Sequence, residues 1–219
     1  MVYDYRYLAA AERHRQFLAD AENFRRARQG RTRRPRPGRR SARRSAGREQ
    51  PAILRDGSEV LIRPVGPADV PFLADGFARL SARSRQLRFL GPKKQLTPAE
   101  LRYLTEIDHH DHEALGAVDS ASGLSVGVAR YVRSFEDPQA AEIAVTVVDD
   151  WQRRGLGTEL LAQLAQRARE EGIRRFTALV GADNAAMTGL VRTTGAALVR
   201  REAATLVYEI PLPMRERPS

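Results

Sequence analysis

The sequence predicts an α+β protein in which a mixed central sheet is flanked by helices and preceded by a basic tail. Two observations predict the domain: alternating apolar positions indicate strands, and apolar residues at helical spacing between capping residues indicate helices. A third observation, positive charge concentrated in the first fifty residues, predicts the tail. We therefore divide the 219 residues into a tail, 1–50, and a domain, 51–213.

The predicted tail carries the whole charge excess of the chain. Residues 1–50 contain 15 Lys and Arg against 5 Asp and Glu, a difference equal to the +10 of the full sequence. We expect a marginal helix up to about Gln29, because its apolar stripe is thin, and a disordered linker over 30–47. Such a segment either binds nucleic acid, acidic lipid or an acidic partner, or has no specific partner. A start site assigned too far upstream is a third explanation.

The first half of the domain is predicted to form one strand and three helices. The strand is Glu59–Val65, whose side chains alternate in polarity. Helices over 67–84 and 84–91 follow from apolar spacing. Their defining positions are Val70, Leu73, Phe77, Leu80, Leu87 and Leu90. The third helix begins after Thr97, an N-cap followed by proline and, three residues on, by glutamate.

Three strands and a long helix are predicted next. The strands Glu113–Asp119 and Leu124–Arg133 are joined by "SASG", a tight-hairpin signal. The third strand, Ala141–Asp149, precedes a helix from about Leu156 to Glu171, which ends at Gly172. A strand over 176–181, a helix over 184–195 and a final pair of strands complete the chain. The predicted order is β-α-α-α-β-β-β-α-β-α-β-β.

Composition excludes several kinds of site. The chain contains no cysteine, which excludes disulfides, thiolate zinc sites and cysteine nucleophiles. No apolar run approaches the roughly 18 residues that a membrane span needs, and the N-terminus does not resemble a secretory signal. We therefore expect a cytoplasmic protein with no membrane span.

The segment Gln152–Thr158, "QRRGLGT", precedes the long helix and has the features of an anion site. Its two glycines let the backbone approach a ligand closely and adopt positive φ. The helix supplies unpaired N–H groups and the positive end of its dipole, and Arg153 and Arg154 add charge. These features predict a pyrophosphate site. The spacing is neither that of a Walker loop nor that of the dinucleotide-binding glycine motif.

The spacing Gln152-x-x-Gly155-x-Gly157 resembles the acetyl-CoA signature of the GNAT N-acetyltransferases. A segment farther along is similar to the next motif of that family, with four residues in register: Asn184, Met187, Leu190 and Gly195. The order of elements over 53–210 is also that of the family. More narrowly, "LTEIDHHDHEALGAV" and "AEIAVTVVDDWQRRGLGTELL" resemble the acetyltransferase domains of bacterial Pat-type protein lysine acetyltransferases. Those domains are often fused to regulatory domains, whereas residues 1–50 are too short and polar to form one.

The resemblance implies the acyl-CoA N-acyltransferase fold, acetyl-CoA as co-substrate and Glu142 as general base. Alternation places Glu142 on one face of its strand with Ala144 and Thr146; a solvent-exposed carboxylate is the alternative. The thioester oxygen is expected near a backbone N–H of the same strand. The implied cofactor contacts are Val147, Val148, Gln152, Arg153, Arg154, Gly155, Leu156, Gly157, Thr158 and Asn184. Asn184 also suits an ordinary helix N-cap.

One position departs from the family. Many members carry a tyrosine seven residues after the position of Asn184, proposed to protonate the departing thiolate, and this chain has Val191 there. The general acid is therefore unassigned. A CoA thiol has an ordinary pKa near ~8.5, so solvent could protonate it.

We predict direct acetyl transfer from acetyl-CoA to a primary amine, and the resemblance to Pat-type enzymes favours a protein lysine ε-amine. The alternatives are a small-molecule amine as acceptor, or a non-catalytic acyl-CoA-binding module whose tail binds nucleic acid or a partner. The string "DHHDHE", 108–113, invites a metal site, but neighbouring side chains point in different directions and no distant Cys or His completes a set. We expect no metal there, and either a polar loop or a wall of the acceptor pocket. Trp151 is expected to pack at the turn.

Overall fold

The computed structural model describes residues 49–202 and 204–213. The predicted helix and disordered linker of the tail therefore lie outside the described residues, and the division near residue 50 stays a prediction. The strands are β1 (Gln50–Ile53), β2 (Glu59–Pro64), β3 (His112–Asp119), β4 (Ser125–Arg133), β5 (Ala140–Val147), β6 (Arg175–Gly181), β7 (Ala197–Glu202) and β8 (Thr205–Pro211). The helices are α1 (Val70–Ala78), α2 (Ala82–Phe89), α3 (Pro98–Thr105), α4 (Leu156–Glu170) and α5 (Ala185–Arg192). None of the described helices is long and apolar enough to span a bilayer.

The eight strands form one sheet in the order β1-β2-β3-β4-β5-β6-β8-β7. All neighbouring pairs are antiparallel except β5 and β6, which are parallel and are connected through α4. A parallel pair needs a crossover connection, and the helix after β5 provides it. The predicted mixed sheet flanked by helices is confirmed.

Most element boundaries fall within one or two residues of their predicted positions, and the exceptions have local causes. Strand β1 was not predicted, because four mostly exposed residues show no apolar alternation. The helix predicted over 67–84 is shorter, because Ser81 starts a new helix by accepting a hydrogen bond from Ser84 N (3.1 Å). Helix α5 ends at Arg192 and not near residue 195, since the Thr193 hydroxyl bonds back to Leu190 O at 2.7 Å.

Two apolar clusters lie on opposite faces of the sheet. The larger cluster packs α4 on the strands, with Leu160, Leu161 and Leu164 at 0% exposure. The smaller cluster packs α1 and α3 on the other face, around Leu73 and Tyr103. Because side chains alternate along a strand, β3 presents residues to both clusters, Leu115 to the larger and Ala114 to the smaller.

The parallel pair separates partway along its length. β5 and β6 are paired only from Ala140 to Ile143 and from Arg175 to Ala178. Both strands continue beyond the last pair, β5 to Val147 and β6 to Gly181, without a ladder between them. The sheet therefore opens in front of the N-terminus of α4.

Candidate functional site

A cavity of about 370 Å³ lies where β5 and β6 separate. Its walls are the second half of β5, the N-terminus of α4, helix α2 and helix α5. This volume falls in the range of small-molecule and cofactor sites. The cavity opens at the point where the backbone of β5 is no longer paired with β6.

The cavity brings together most of the residues predicted from the sequence. Those that line it are Glu142, Val147, Gln152, Arg153, Gly155, Gly157, Thr158 and Asn184. Three predicted contacts lie behind the wall. Leu156 is 1% exposed in the core, Val148 is 5% exposed, and the side chain of Arg154 turns away. For these three, only main-chain contact with a ligand fits the geometry.

The N-terminus of α4 forms one end of the cavity. Gly155 precedes the helix with φ of 97°, a conformation that L side chains rarely adopt. A Cβ built on Gly157 would lie 3.4 Å from Leu190 Cδ2 and 3.9 Å from Val145 Cγ1, so a larger side chain would fill the cavity. Thr158 N donates to Gly155 O at 3.0 Å, whereas Leu156 and Gly157 precede the first residue whose N–H can bond four residues back. These two N–H groups make this end of the helix suited to an anion.

Two arginines face this end of the cavity and a third does not. Arg153 lines the cavity and has a positive φ of 64°. Arg55, which was not predicted, follows β1 and places its Nε 3.5 Å from the position of a Cβ on Gly155. Arg154 instead lies 3.2 Å from Asp56 and stacks over the Trp151 ring at 4.8 Å. Trp151 thus packs at the turn as expected, and it also lines the cavity.

Gln152 joins the loop before α4 to β5 and α2. Its Nε2 donates to Val147 O at 3.1 Å and to Ser84 Oγ at 3.3 Å. Ser84 Oγ in turn donates to Asp149 Oδ1 at 2.8 Å, and Asp149 also accepts from Ser81 N and Ser81 Oγ. Burial raises the pKa of Asp149, but the hydrogen bonds from Ser81 and Ser84 outweigh it and leave the pKa below its ordinary value.

The backbone of β5 directs polar groups into the cavity. Val148 N donates to Val126 O at 3.0 Å, toward β4. Alternate residues of a strand direct their N–H groups to opposite neighbours, so those of Ile143, Val145 and Val147 point toward β6. Ile143 lies in the paired segment, whereas Val145 lies beyond it and lines the cavity. The peptide N–H of Val145 therefore faces the cavity.

Glu142 lies at the inner end of the cavity, half-buried on β5. Arg88 of α2 lines the same region, and burial lowers the pKa of Arg88 despite the attraction of Glu142. Beside Glu142 a smaller cavity of about 30 Å³, which we call the side chamber, lies between helices α2 and α3 and strands β4 and β5. Glu142 and Arg88 line both cavities.

Helix α5 and its N-cap residue Asn184 form a further wall of the cavity. Asn184 Oδ1 accepts from Met187 N at 3.0 Å, so Asn184 is an N-cap and also lines the cavity. Val191 is 0% exposed and lies in the core, away from the cavity lining. The sequence patterns do not predict three residues of the lining: Arg55, Ser84 and Arg88. Each comes from a segment at least 60 residues before the motif, and a polar residue on a turn or helix carries no local signal of such a contact.

The segment 108–113 is held by a local network of hydrogen bonds. Asp108 Oδ1 accepts from three backbone N–H groups, and Asp111 accepts from Arg133 Nε at 2.8 Å. Glu113 is fully buried and accepts from His109 Nδ1 at 2.8 Å and from Arg167 Nη2 at 3.2 Å. Within 49–202 and 204–213, no group of three or more His, Cys, Asp or Glu side chains could hold a metal ion.

Comparison with known proteins agrees with this geometry. A family model described as the acetyltransferase (GNAT) family matches residues 82–196. An acetyltransferase Pat of Mycolicibacterium smegmatis is 36% identical over 163 residues, 74% of this chain and 49% of that protein. An acetyltransferase of Pseudomonas aeruginosa is 38% identical over 144 residues, 65% of this chain and 77% of that protein. The solved GNAT domain of an S. lividans PAT superposes with a TM-score of 0.71 at 30% identity, covering 75% of this chain and 97% of that one. The chain thus spans about half the length of the first of these relatives.

Proposed function

Because the chain belongs to the acetyltransferase (GNAT) family, we propose that it transfers acetyl from acetyl-CoA to a primary amine, with Glu142 as general base. The acceptor that we favour is a protein lysine ε-amine, since the chain resembles Pat-type enzymes and is 36% identical to the Pat of M. smegmatis. One observation carries the proposal: a cavity that joins a helix N-terminus suited to an anion to a half-buried carboxylate along an open strand edge.

The residues at the outer end suit the phosphates of acetyl-CoA. The first-turn N–H groups of α4 would hold the pyrophosphate, with Arg55 and Arg153 as nearby cations. The open edge of β5, around Val145 and Val147, would run alongside the pantetheine arm. Gly157 keeps the cavity floor free of a side chain there.

The inner end suits the transfer step. A lysine ammonium, with an ordinary pKa near ~10.4, must lose a proton before it attacks. Glu142 would accept that proton, directly or through a water. The N–H of Val145 would donate to the thioester oxygen as negative charge develops on it. The amine nitrogen forms the new C–N bond while the C–S bond breaks, without a covalent enzyme intermediate on cysteine, since the chain has none.

The thiolate then takes up a proton from water. Val191, which stands where many family members have tyrosine, is buried in the core and has no proton to give. A CoA thiol with an ordinary pKa of ~8.5 needs no dedicated acid near neutral pH.

Glu142→Gln tests the general base. The amide keeps the shape of the side chain but cannot accept the proton, so kcat at pH 7.5 should fall by about 10²- to 10⁴-fold. The loss should shrink as pH approaches the pKa of the acceptor amine, because solvent then deprotonates it. Initial rates over pH 6.5–10 provide the measurement. Glu136→Gln, an exposed carboxylate in the preceding β4–β5 connection, is the matched control. A full rate for Glu142→Gln at pH 7.5 would refute the assignment.

Identifying the acceptor requires a comparison of substrate classes. Acetylation of lysines in candidate proteins should exceed acetylation of small amines at equal amine concentration, measured by mass spectrometry of acetyl-lysine. Efficient turnover of a small amine, with no protein substrate above background, would replace the lysine proposal by the small-amine alternative. Binding of acetyl-CoA without turnover of any amine would leave only the binding-module alternative.

A further inference from the structure

The side chamber contains two arginines that the transfer step does not use. Arg130, from β4, is only 5% exposed. Its Nη1 approaches Leu104 O at 3.4 Å and His112 Nε2 at 3.2 Å, and both acceptors are neutral. Arg88, from α2, reaches the chamber from the opposite wall. Buried arginines in proteins are normally paired with a carboxylate, and Arg130 has none among its hydrogen-bond partners in the described ranges.

The charges around the chamber do not balance. Glu142 attracts Arg88, and Glu100, the other carboxylate of the lining, is bound by Lys93 at 2.5 Å. When Lys93, which binds Glu100 from outside the lining, is counted, three cations surround two carboxylates, which leaves one positive charge in excess. An added carboxylate would neutralise the chamber, whereas an added ammonium would double the excess.

The pKa values of both arginines are lowered, which agrees with an excess of positive charge. Burial lowers the pKa of Arg130 to about 9, and repulsion by Arg88 contributes. Burial also lowers the pKa of Arg88, although Glu142 opposes that effect. Holding an uncompensated Arg130 beside Arg88 in a small apolar chamber costs stability, and such groups concentrate at functional sites. The rest of the wall includes Phe89 and Leu104, so a bound anion there would be shielded from water.

We propose that the side chamber binds a carboxylate, which Arg88 and Arg130 hold next to the reacting atoms. The carboxylate is carried either by the acyl group of the donor, as in malonyl-CoA, or by the acceptor, as in an amino acid. A volume of about 30 Å³ admits a group the size of one carboxylate, since one water needs ~10–15 Å³ on this measure. Ile143 and Ala144 line both the chamber and the main cavity, so the two are adjacent along β5. The proposal rests on the proposed acyl transfer for its placement beside the acyl group.

The reaction balances without an additional reagent. With a malonyl donor, the neutral amine nitrogen forms the amide bond and the thioester C–S bond breaks. The nitrogen releases one proton to solvent as the amide forms, and the CoA thiolate takes up one proton from water, so CoA leaves as the thiol. The terminal carboxylate stays unchanged and contacts the guanidinium groups.

Binding and turnover of acyl-CoA analogues test the donor arm. If the donor carries the carboxylate, the full chain should bind malonyl-CoA at least tenfold more tightly than butyryl-CoA, which has a similar length and no charge, as measured by isothermal titration. With a fixed amine, kcat/KM for malonyl-CoA should likewise exceed that for butyryl-CoA. The acceptor arm compares leucine with leucine amide at saturating acetyl-CoA, and kcat/KM should favour leucine tenfold if the carboxylate comes from the acceptor.

Substitutions of the two arginines test whether they cause the observed preference for the charged ligand. Arg88→Met should reduce the charged-to-neutral ratio by about tenfold or more, and Arg88→Lys should restore part of it. Arg102→Met, on the exposed face of α3, is the control and should leave the ratio unchanged. Arg130→Met should act in the same direction as Arg88→Met, but the Arg88 variants suffice if it fails to fold.

The outcomes separate this proposal from the proposed function. A chain that prefers neither malonyl-CoA over butyryl-CoA nor leucine over leucine amide overturns the carboxylate pocket, even if it acetylates lysine. A preference that survives in Arg88→Met overturns it as well. Because acyl-CoA binding is measured without an acceptor, tighter binding of malonyl-CoA supports the pocket even if no amine is turned over, an outcome that would instead count against the proposed function.

Discussion

Arg55 is the residue through which the β1–β2 turn reaches the loop in front of α4. Its backbone N donates to Arg154 O at 3.1 Å, and its side chain lies over Gly155. Arg154 is fixed elsewhere by Asp56 and by the Trp151 ring. The two arginines therefore have different roles, although Arg154 belongs to the motif and Arg55 does not.

Arg55→Ala should weaken acetyl-CoA binding. Loss of one charge-assisted contact to a phosphate costs about 1.5 kcal/mol, which corresponds to roughly a tenfold increase in KM for acetyl-CoA. The increase should shrink in 0.5 M salt, because the contact is exposed to solvent. Initial rates at varied acetyl-CoA give the measurement.

Arg154→Ala serves as the comparison for Arg55. Its guanidinium does not face the cavity, so KM should change less than in Arg55→Ala. If Arg154→Ala raised KM as much as Arg55→Ala, the loop would not bind the cofactor in the way that we infer.

At the residue scale, the sequence predicts a site residue only where a local pattern expresses its role. Glu142 was recognisable because it is a carboxylate in an apolar, alternating run next to the motif. Arg55, Arg88 and Ser84 reach the cavity through tertiary packing, and an arginine on an exposed turn or helix has the same local pattern whether or not it faces a ligand. Tertiary packing also explains why Arg153 lines the cavity whereas its neighbour Arg154 contacts Asp56 and Trp151.

Helix α2 is the element that connects the cofactor loop to the inner end of the cavity. At the N-terminus of α2, Ser81 and Ser84 donate three hydrogen bonds to Asp149, and Ser84 also contacts Gln152. The same helix carries Arg88 to the side chamber. Displacement of α2 should therefore change the loop and the inner end together.

Asp149→Ala should both destabilise the protein and raise KM for acetyl-CoA. Loss of a helix N-terminal carboxylate with its hydrogen bonds costs about 1–2 kcal/mol, measurable by urea denaturation. KM should rise severalfold because Gln152 loses the support of Ser84. Asp150→Ala, the exposed neighbouring carboxylate, is the control for both measurements. Normal KM with reduced stability would limit Asp149 to a structural role.

Element prediction succeeded where capping and periodicity act within a few residues. Thr97 and Glu100 form the predicted capping box, with Glu100 N to Thr97 Oγ1 at 3.2 Å and Thr97 N to Glu100 Oε2 at 2.8 Å. Strand β1 was missed because its pairing with β2, and not its own pattern, makes it a strand. Its four residues are extended because they pair with β2 at the edge of the sheet.

The opening between β5 and β6 is a property of the whole sheet. The element order predicts a mixed sheet, because a strand, a helix and a strand in succession favour a parallel pair. It does not predict that pairing ends at Ile143, because both strands continue beyond that point with the same apolar pattern. The position of Glu142 was therefore predictable, whereas the cavity in front of it was not.

The buried pair between Glu113 and Arg167 joins β3 to α4 across the core. Glu113 is 0% exposed and also accepts from His109 Nδ1 and from its neighbour Ala114 N. His109 has a left-handed φ of 54°, so this contact also fixes the loop before β3. The three charged groups link the stability of the whole domain to the protonation of one histidine.

Stability should consequently decrease as pH rises above neutral. The hydrogen bond to Glu113 raises the pKa of His109 above its ordinary value of 6.5, although burial and then Arg167 oppose this effect. A group whose pKa is higher in the folded state contributes its full stabilisation below the unfolded pKa and loses it as pH rises through the folded pKa. The free energy of unfolding should therefore fall from pH 6 toward pH 9.

His109→Asn isolates this contribution. Asparagine tolerates the left-handed backbone at this position but does not titrate, so the variant should be less stable than the native chain at pH 6. The difference should decrease with rising pH, because the native chain loses the protonated histidine that pairs with Glu113. Urea denaturation at pH 6, 7, 8 and 9 measures it. A difference that stays constant over this range would show that His109 does not couple its proton to the fold.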